Sequence, residues 1–296
     1  MTTDPLDGSL ARRVPISLRA LVDASLPPLD YVLPGMLAGT VGALISPGGV
    51  GKSWWALQAS VYLAGGPDIL GLDDPRARQL RPGPVVYLAA EDPELPLLYR
   101  LQALARMMDD ATLDRVDRNL HVIPLLGESL DVMTPPYRQA LTHYAKGTRL
   151  IVIDTLRRAH TLDENSSGDM ARLLAVLDQV AVTSNSGVLY LHHTTKSAAL
   201  SGQGDLQQAA RGSSVLVDNI RWQAYVSGMS EAEADRYGIT DEDRRLYVRA
   251  GVAKINYGAP LPERWYRRDE RGILRPADLR PIATRTRRTR QEALSV

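Results

Sequence analysis

The sequence predicts a doubly wound α/β domain: a mainly parallel, twisted sheet flanked by helices, with antiparallel strands at its C-terminal edge. Three observations predict it. First, the runs "TVGALIS" (40–46), "PVVYLAAED" (84–92), "LHVIPLL" (120–126), "RLIVIDT" (149–155) and "GVLYLHH" (187–193) are continuously apolar rather than alternating. Such runs suit strands buried on both faces of a parallel sheet. Second, helical patterns separate them, at 53–66, 95–108, 135–147 and 169–187. Third, the segments 244–259 and 263–277 do alternate and are broken by "DERG", which reads as antiparallel edge strands joined to the same sheet.

Taken in order, residues 1–30 form an N-terminal arm, Pro-containing and weakly patterned, with one short helix near 18–24. Residues 31–279 form the domain itself. Residues 280–296 form a tail with five Arg, patterned as a mobile segment. No internal repeat is visible.

Composition narrows the function classes. The chain has 296 residues, a hydrophobic fraction of 44% and a formal net charge of +1, as expected for a globular protein without a general basic surface. With no cysteine there is no disulfide framework, thiolate metal site or Cys nucleophile. No apolar leader opens "MTTDPLDGSLARR" and no uncharged apolar run reaches membrane-spanning length, so a cytoplasmic protein with no membrane contact is expected.

The first strand runs into "SPGGVGKS", residues 46–53. Gly48, Gly49 and Gly51 let a backbone wrap closely around a phosphate, with Val50 between them and a helix N-terminus just beyond. Lys52 is placed to reach β- and γ-phosphates, and Ser53 to ligate Mg²⁺. The pattern wants Gly where Ser46 stands. Pro47 and Gly48 can supply that bend, so the cradle is retained, and ATP with Mg²⁺ is the expected cofactor pair.

In parallel sheets, chemistry gathers at the carboxyl ends of the strands. Asp154 ends "LIVID" and is suited to hold Mg²⁺ through water; a helix N-cap is the alternative. Glu91-Asp92 ends "VVYLAAED", and Glu91 can polarise an attacking water, unless Asp92 is merely a cap. "VLYLHH" ends in His192-His193, which point to opposite sides, so only one can sense a γ-phosphate; His193 is the candidate. Two long polar loops, 157–170 and 194–214, follow these ends and carry Arg157, Arg158, Lys196 and Arg211 without aromatics. That suits tracking of a nucleic-acid backbone better than base stacking. Downstream, Arg221 and Lys254 are remote from the cradle in sequence, where a cation acting on a neighbouring subunit's nucleotide, or a surface salt bridge, would fit.

The order "SPGGVGKS … VVYLAAED … LIVIDTLRR … LYLHHTTK … RGSSVLVDNIRWQ … VAKINYGAPLPERW" resembles the small hexameric replicative DNA helicases of IncQ-type broad-host-range plasmids, in the RecA-like P-loop NTPase group. The likeness runs from about residue 28 to about residue 276. It implies a homohexameric ring with ATP between subunits, single-stranded DNA in the channel and 5′→3′ unwinding in plasmid replication. Plasmid initiator and primase proteins would be its partners. It further implies Lys52 and Ser53 on phosphate and Mg²⁺, Glu91 as water-activating base, Asp154 as the second-motif aspartate, His193 as γ-phosphate sensor, Arg221 as a finger acting in trans and Lys254 as a second cation. A RecA-type or clock-type ATPase used as a switch or scaffold is the alternative; a metabolite kinase fits the two basic loops poorly.

Overall fold

The computed structural model describes residues 14–73, 80–193 and 215–282. The parallel part of its main sheet comprises β3 (Val41–Ser46), β4 (Val85–Ala89), β5 (Leu120–Pro124), β6 (Leu150–Asp154), β7 (Gly187–His193) and β8 (Trp222–Gly228). Then β9 (Tyr247–Ile255), β10 (Arg264–Arg268) and β11 (Leu274–Ala277) continue antiparallel from β8, at the edge expected from their alternation. The order across this nine-stranded sheet is β11-β10-β9-β8-β3-β7-β6-β4-β5. A separate two-stranded ribbon joins β1 (Tyr31–Leu33) to β2 (Met36–Leu37).

Helices cover both faces. Alternate residues of single strands feed two cores, as the two-residue period of a strand requires. Leu44, Tyr87, Val152 and Leu189 pack toward α2 (Lys52–Leu63) and α3 (Glu94–Ala105). Ala43, Leu88, Ile153 and Tyr190 pack toward α5 (Pro135–Ala145) and α6 (Ser167–Ser184). The central strands β3, β4 and β6 are buried at every residue, which is why they read as unbroken apolar runs. The run at 120–126 departs from that expectation. β5 is the edge strand with no fully buried residue, and its apolar side chains are only half covered.

The strands β1, β2 and β8 and three helices lie outside the sequence reading. The helices are α4 (Asp110–Asn119), capped by the Asp109 carboxylate on Thr112 N, α7 (Val215–Asp218) and α8 (Glu231–Tyr237), opened by a capping box of Ser230 and Glu233. At the N-terminal side, α1 (Leu18–Leu21) is a single turn inside the stretch read as helical. Two polar side chains fasten distant segments to the sheet. Arg149 forks onto both carboxylate oxygens of Asp30 at 2.6 and 2.8 Å, tying residue 30 to the start of β6. Buried Gln58 of α2 gives and takes hydrogen bonds with the Leu274 backbone at 2.8 and 2.9 Å, locking β11 over the helix. None of the helices among the described residues is long and apolar enough to cross a membrane.

Candidate active site

The register brings four strand ends level. Ser46 of β3 lies opposite His193 of β7, and Ala89 of β4 opposite Asp154 of β6. Ala90 N continues the ladder by donating to Asp154 O at 2.7 Å, which sets Glu91 beside Asp154. The loop leaving β3 turns directly into α2. Gly49 and Gly51 adopt φ of 78° and 108°, a region only glycine enters at low cost. Among the described residues no side chain caps α2, so the first-turn N–H groups of that helix face the loop without a protein partner of this kind. Ser46 itself is buried, with its hydroxyl donating to Pro47 O at 2.9 Å, so the departure from Gly is absorbed at the strand exit.

Lys52 is the hub. Its side chain is 5% exposed, and Nζ lies 3.2 Å from Asp154 Oδ1 and 3.4 Å from Glu91 Oε2. Asp154 also accepts 2.6 Å from the hydroxyl of buried Tyr87, so each of its oxygens has a partner. Burial and the neighbouring Asp154 carboxylate push the Tyr87 hydroxyl well above its ordinary value, so it stays a donor. His193 Nε2 sits 3.0 Å from Glu91 Oε1. This hydrogen bond, aided by the Lys52 charge, outweighs burial and holds Glu91 down at about 2. Asp92 is not the cap of α3. Pro93 occupies that position, and Asp92 instead grips Arg100, whose guanidinium lies 5.8 Å over the Trp54 ring.

The two histidines part company as the strand period demands. His193 faces Glu91, whereas His192 is buried on the opposite side and pushed down to about 4, chiefly by burial. Arg157 and Arg158 are exposed in the 3-10 turn Leu156–Arg158, three and four residues beyond Asp154 at the carboxyl end of β6. Lys196 and Arg211 lie outside the described residues.

Arg221 and Lys254 stand at the other end of the sheet. Trp222 pairs with Gly42, so Arg221 is level with Val41, five residues back from Ser46. At about 3.3 Å per residue that is about 16 Å along the strands, beyond the reach of its side chain to its own cradle. Arg221 is exposed. Lys254 pairs opposite Gln223 on β9, and its Nζ donates to Val217 O and Asp218 O at 3.1 and 2.8 Å, closing the end of α7. Its partners are thus backbone carbonyls, in place of the surface salt bridge that the sequence also allows.

Sequence reasoning missed Tyr87, Arg268, His160 and Glu164. Arg268 of β10 donates to Val50 O at 2.7 Å, and a Cβ on Gly51 would come within 3.0 Å of its Nη2. Gly51 is favoured by its φ, and a Cβ there would also press on the end of the Arg268 side chain. Nothing local marks Arg268, because only the antiparallel return of β10 brings it to the loop.

The residues fit a nucleoside triphosphate with Mg²⁺. A Cβ on Gly49 would meet nothing within 4 Å, leaving open space over the loop, and the buried Lys52 that follows it is paired with the Asp154 carboxylate. No three His, Asp or Glu among the described residues form a metal cage of their own.

A glycine loop between a central parallel strand and a buried helix, in a sheet of this strand order, defines a RecA-like P-loop fold. The chain belongs to the AAA domain family, which matches residues 10–199. Among solved structures it is similar to the ATPase domain of another protein, at 12% identity, covering 83% of this chain and 88% of that one with a TM-score of 0.56. It is also similar to the RadB recombinase, at 14% identity, covering 79% and 90%, with a TM-score of 0.49. The likeness to the solved ATPase domain is one of fold.

Proposed function

We propose that the chain is an ATP-driven DNA helicase that assembles as a homohexamer and unwinds duplex DNA 5′→3′ along a single strand during plasmid replication. Residues 31–279 are its ATPase unit, 1–30 an arm and 280–296 a tail. The observation that carries the reading is the convergence of Lys52, Asp154, Glu91 and His193 on an uncapped helix N-terminus. The solved neighbour of like fold is itself described as an ATPase domain.

The backbone at Gly48, Gly49, Val50 and Gly51 wraps the phosphates, and Lys52 neutralises their charge. Ser53 and Asp154 would hold Mg²⁺, which when bound would neutralise charge on the phosphate oxygens. Glu91 is fully ionised at neutral pH and orients the attacking water. Because His193 and Lys52 hold it at about 2, it becomes a stronger base only when a γ-phosphate draws those two groups away. His193, released from Glu91, senses that phosphate. Arg221 is too far from its own cradle and supplies a neighbour's, with Lys254 beside it on the same rim; this favours a ring of subunits over an isolated one. Arg157, Arg158, Lys196 and Arg211 track the DNA backbone.

The deciding experiment measures ATP hydrolysis with and without single-stranded DNA, beside strand displacement on a forked duplex. Hydrolysis stimulated by DNA together with displacement is expected. Stimulated hydrolysis without displacement on either fork polarity would favour the switch or scaffold reading. No hydrolysis that Lys52→Ala removes would refute both.

A further inference from the structure

We propose that Glu164 is a positioning residue that couples the His192–His193 end of β7 to the segment 157–166, so that the cradle and this segment rearrange together. The proposal rests on the cradle being a nucleoside triphosphate site.

The geometry begins with His160, which is 4% exposed. Its Nδ1 accepts from Leu162 N at 3.2 Å, so the neutral ring carries its proton on Nε2. That Nε2–H faces Glu164 Oε1 at 3.8 Å. Both atoms are buried, and neither has a hydrogen-bond partner among the described residues. A donor and an acceptor thus stand opposite each other roughly 1 Å too far apart to bond. Buried polar groups are seldom left so, and closing the gap satisfies both at once.

His192 Nδ1 lies 3.9 Å from the same Oε1, and Arg157 Nε 3.9 Å from Oε2. Glu164 therefore stands between β7, the His160 turn and Arg157. Burial pushes His160 and His192 down and Glu164 up. On His160, Arg157 adds to the fall, while Asp131 and Asp169 oppose it. His193 and Arg157 pull Glu164 back down, against Asp163. Both imidazoles are accordingly neutral at physiological pH, so closing either gap would form a directional hydrogen bond rather than an ion pair.

The strand supplies the link. His192 and His193 are consecutive and face opposite sides, so one strand end holds Glu91 on its cradle face and stands beside Glu164 on the other. A shift of the β7 end by about 1 Å is enough to bring His192 Nδ1, now 3.9 Å from Glu164 Oε1, to bonding distance or to carry it away. The segment it would move bears Arg157, and it is anchored at its base by Thr161 Oγ1 donating to Asp131 Oδ2 at 2.8 Å.

The test is amide hydrogen exchange on the full chain with and without a non-hydrolysable ATP analogue. It compares wild type, Glu164→Leu, which removes the acceptor at similar volume, and Glu164→Gln, which keeps one. In wild type the analogue should slow exchange at 48–53 and at 157–166. Glu164→Leu should keep the first response and lose the second, and Glu164→Gln should restore much of it. A residue that merely supports the fold would change the thermal midpoint without separating the two responses. Equal responses in wild type and Glu164→Leu, or a wild type that responds at 48–53 alone, would overturn the coupling and leave the nucleotide site standing. A wild type unresponsive at 48–53 would overturn both. If Glu164→Leu does not fold, His160→Leu removes the donor and reads the same loss.

Discussion

Lys52→Met should damage the fold as well as the chemistry, and the size of that damage follows from the ion pair. The Lys52 and Asp154 side chains are 5% and 3% exposed, and Nζ and Oδ1 are 3.2 Å apart. Removing the lysine leaves a buried carboxylate whose remaining side-chain partner is the Tyr87 hydroxyl. Breaking one side of a buried pair costs about 3–5 kcal/mol, because the other charge is left uncompensated. The second contact, from Lys52 to Glu91 at 3.4 Å, involves a carboxylate 37% exposed and adds no more than about 1 kcal/mol. For a chain of this size each kcal/mol moves the melting temperature by about 2–4 °C, so a fall of about 10 °C is expected. Asp154→Asn alone should also destabilise, since it strands the lysine. The double variant Lys52→Met/Asp154→Asn leaves no unpaired buried charge at that contact and should recover about 1–3 kcal/mol relative to the sum of the singles. Urea and thermal unfolding of the four proteins, followed by circular dichroism, measure this cycle. Hydrolysis should remain absent in all three variants, so stability returns without activity. If the two single costs simply add, or Lys52→Met unfolds with wild type, the pair is not coupled and the reasoning fails.

Glu91→Gln should bind ATP but hydrolyse it about 10²–10⁴-fold more slowly, measured by nucleotide affinity beside single-turnover rates; normal turnover would move the water-orienting role elsewhere. His192 is held at about 4 when folded, against an ordinary value of 6.5, so the unfolded chain takes up a proton that the folded one refuses. Stability should therefore decline as pH falls from about 6.5 toward 4, and His192→Gln should flatten that decline in unfolding curves taken between about pH 7 and 4.5. Arg157→Ala and Arg158→Ala should each lower the salt dependence of single-stranded DNA affinity by about one unit of slope, and an unchanged slope in both would take the DNA path off this turn. Arg221→Ala should bind ATP and lose roughly 10³–10⁵ in hydrolysis, and mixing it with Lys52→Ala subunits should restore part of the activity. Exchanged rings without recovery would place Arg221 outside the neighbour's site.

What the sequence makes legible are features encoded by neighbours in the chain. The cradle is one uninterrupted stretch from Ser46 to Ser53, and each candidate at a strand end follows an apolar run that announces the strand before it. The two-residue period even separates His193 from His192. Edge position is not encoded in this way. "LHVIPLL" is as apolar as the central runs, and only the strand order shows that β5 has a neighbour on one side alone. The same blindness hid Tyr87, which sits inside a run read as pure core, although a tyrosine buried among aliphatic residues needs a partner for its hydroxyl and finds it in Asp154. Arg268 was hidden by distance in sequence, since β9 and β10 must return antiparallel from β8 before it meets Val50 O.

Arg221 shows how topology changes the meaning of a residue that sequence alone can only nominate. Remoteness in sequence allows both a finger and a salt bridge. The parallel register of β8 on β3 removes the own-subunit cradle from its reach, because Arg221 enters at the amino end while the cradle lies at the carboxyl end. One charge relation it does have is with Asp178 of α6, whose carboxyl is raised by burial and eased back by Arg221. A cation on an exposed rim opposite its own nucleotide site can act on a nucleotide only if another subunit presents one there. The mixed-subunit experiment tests that consequence directly: a salt bridge confined to one chain gives no recovery, and a shared site does.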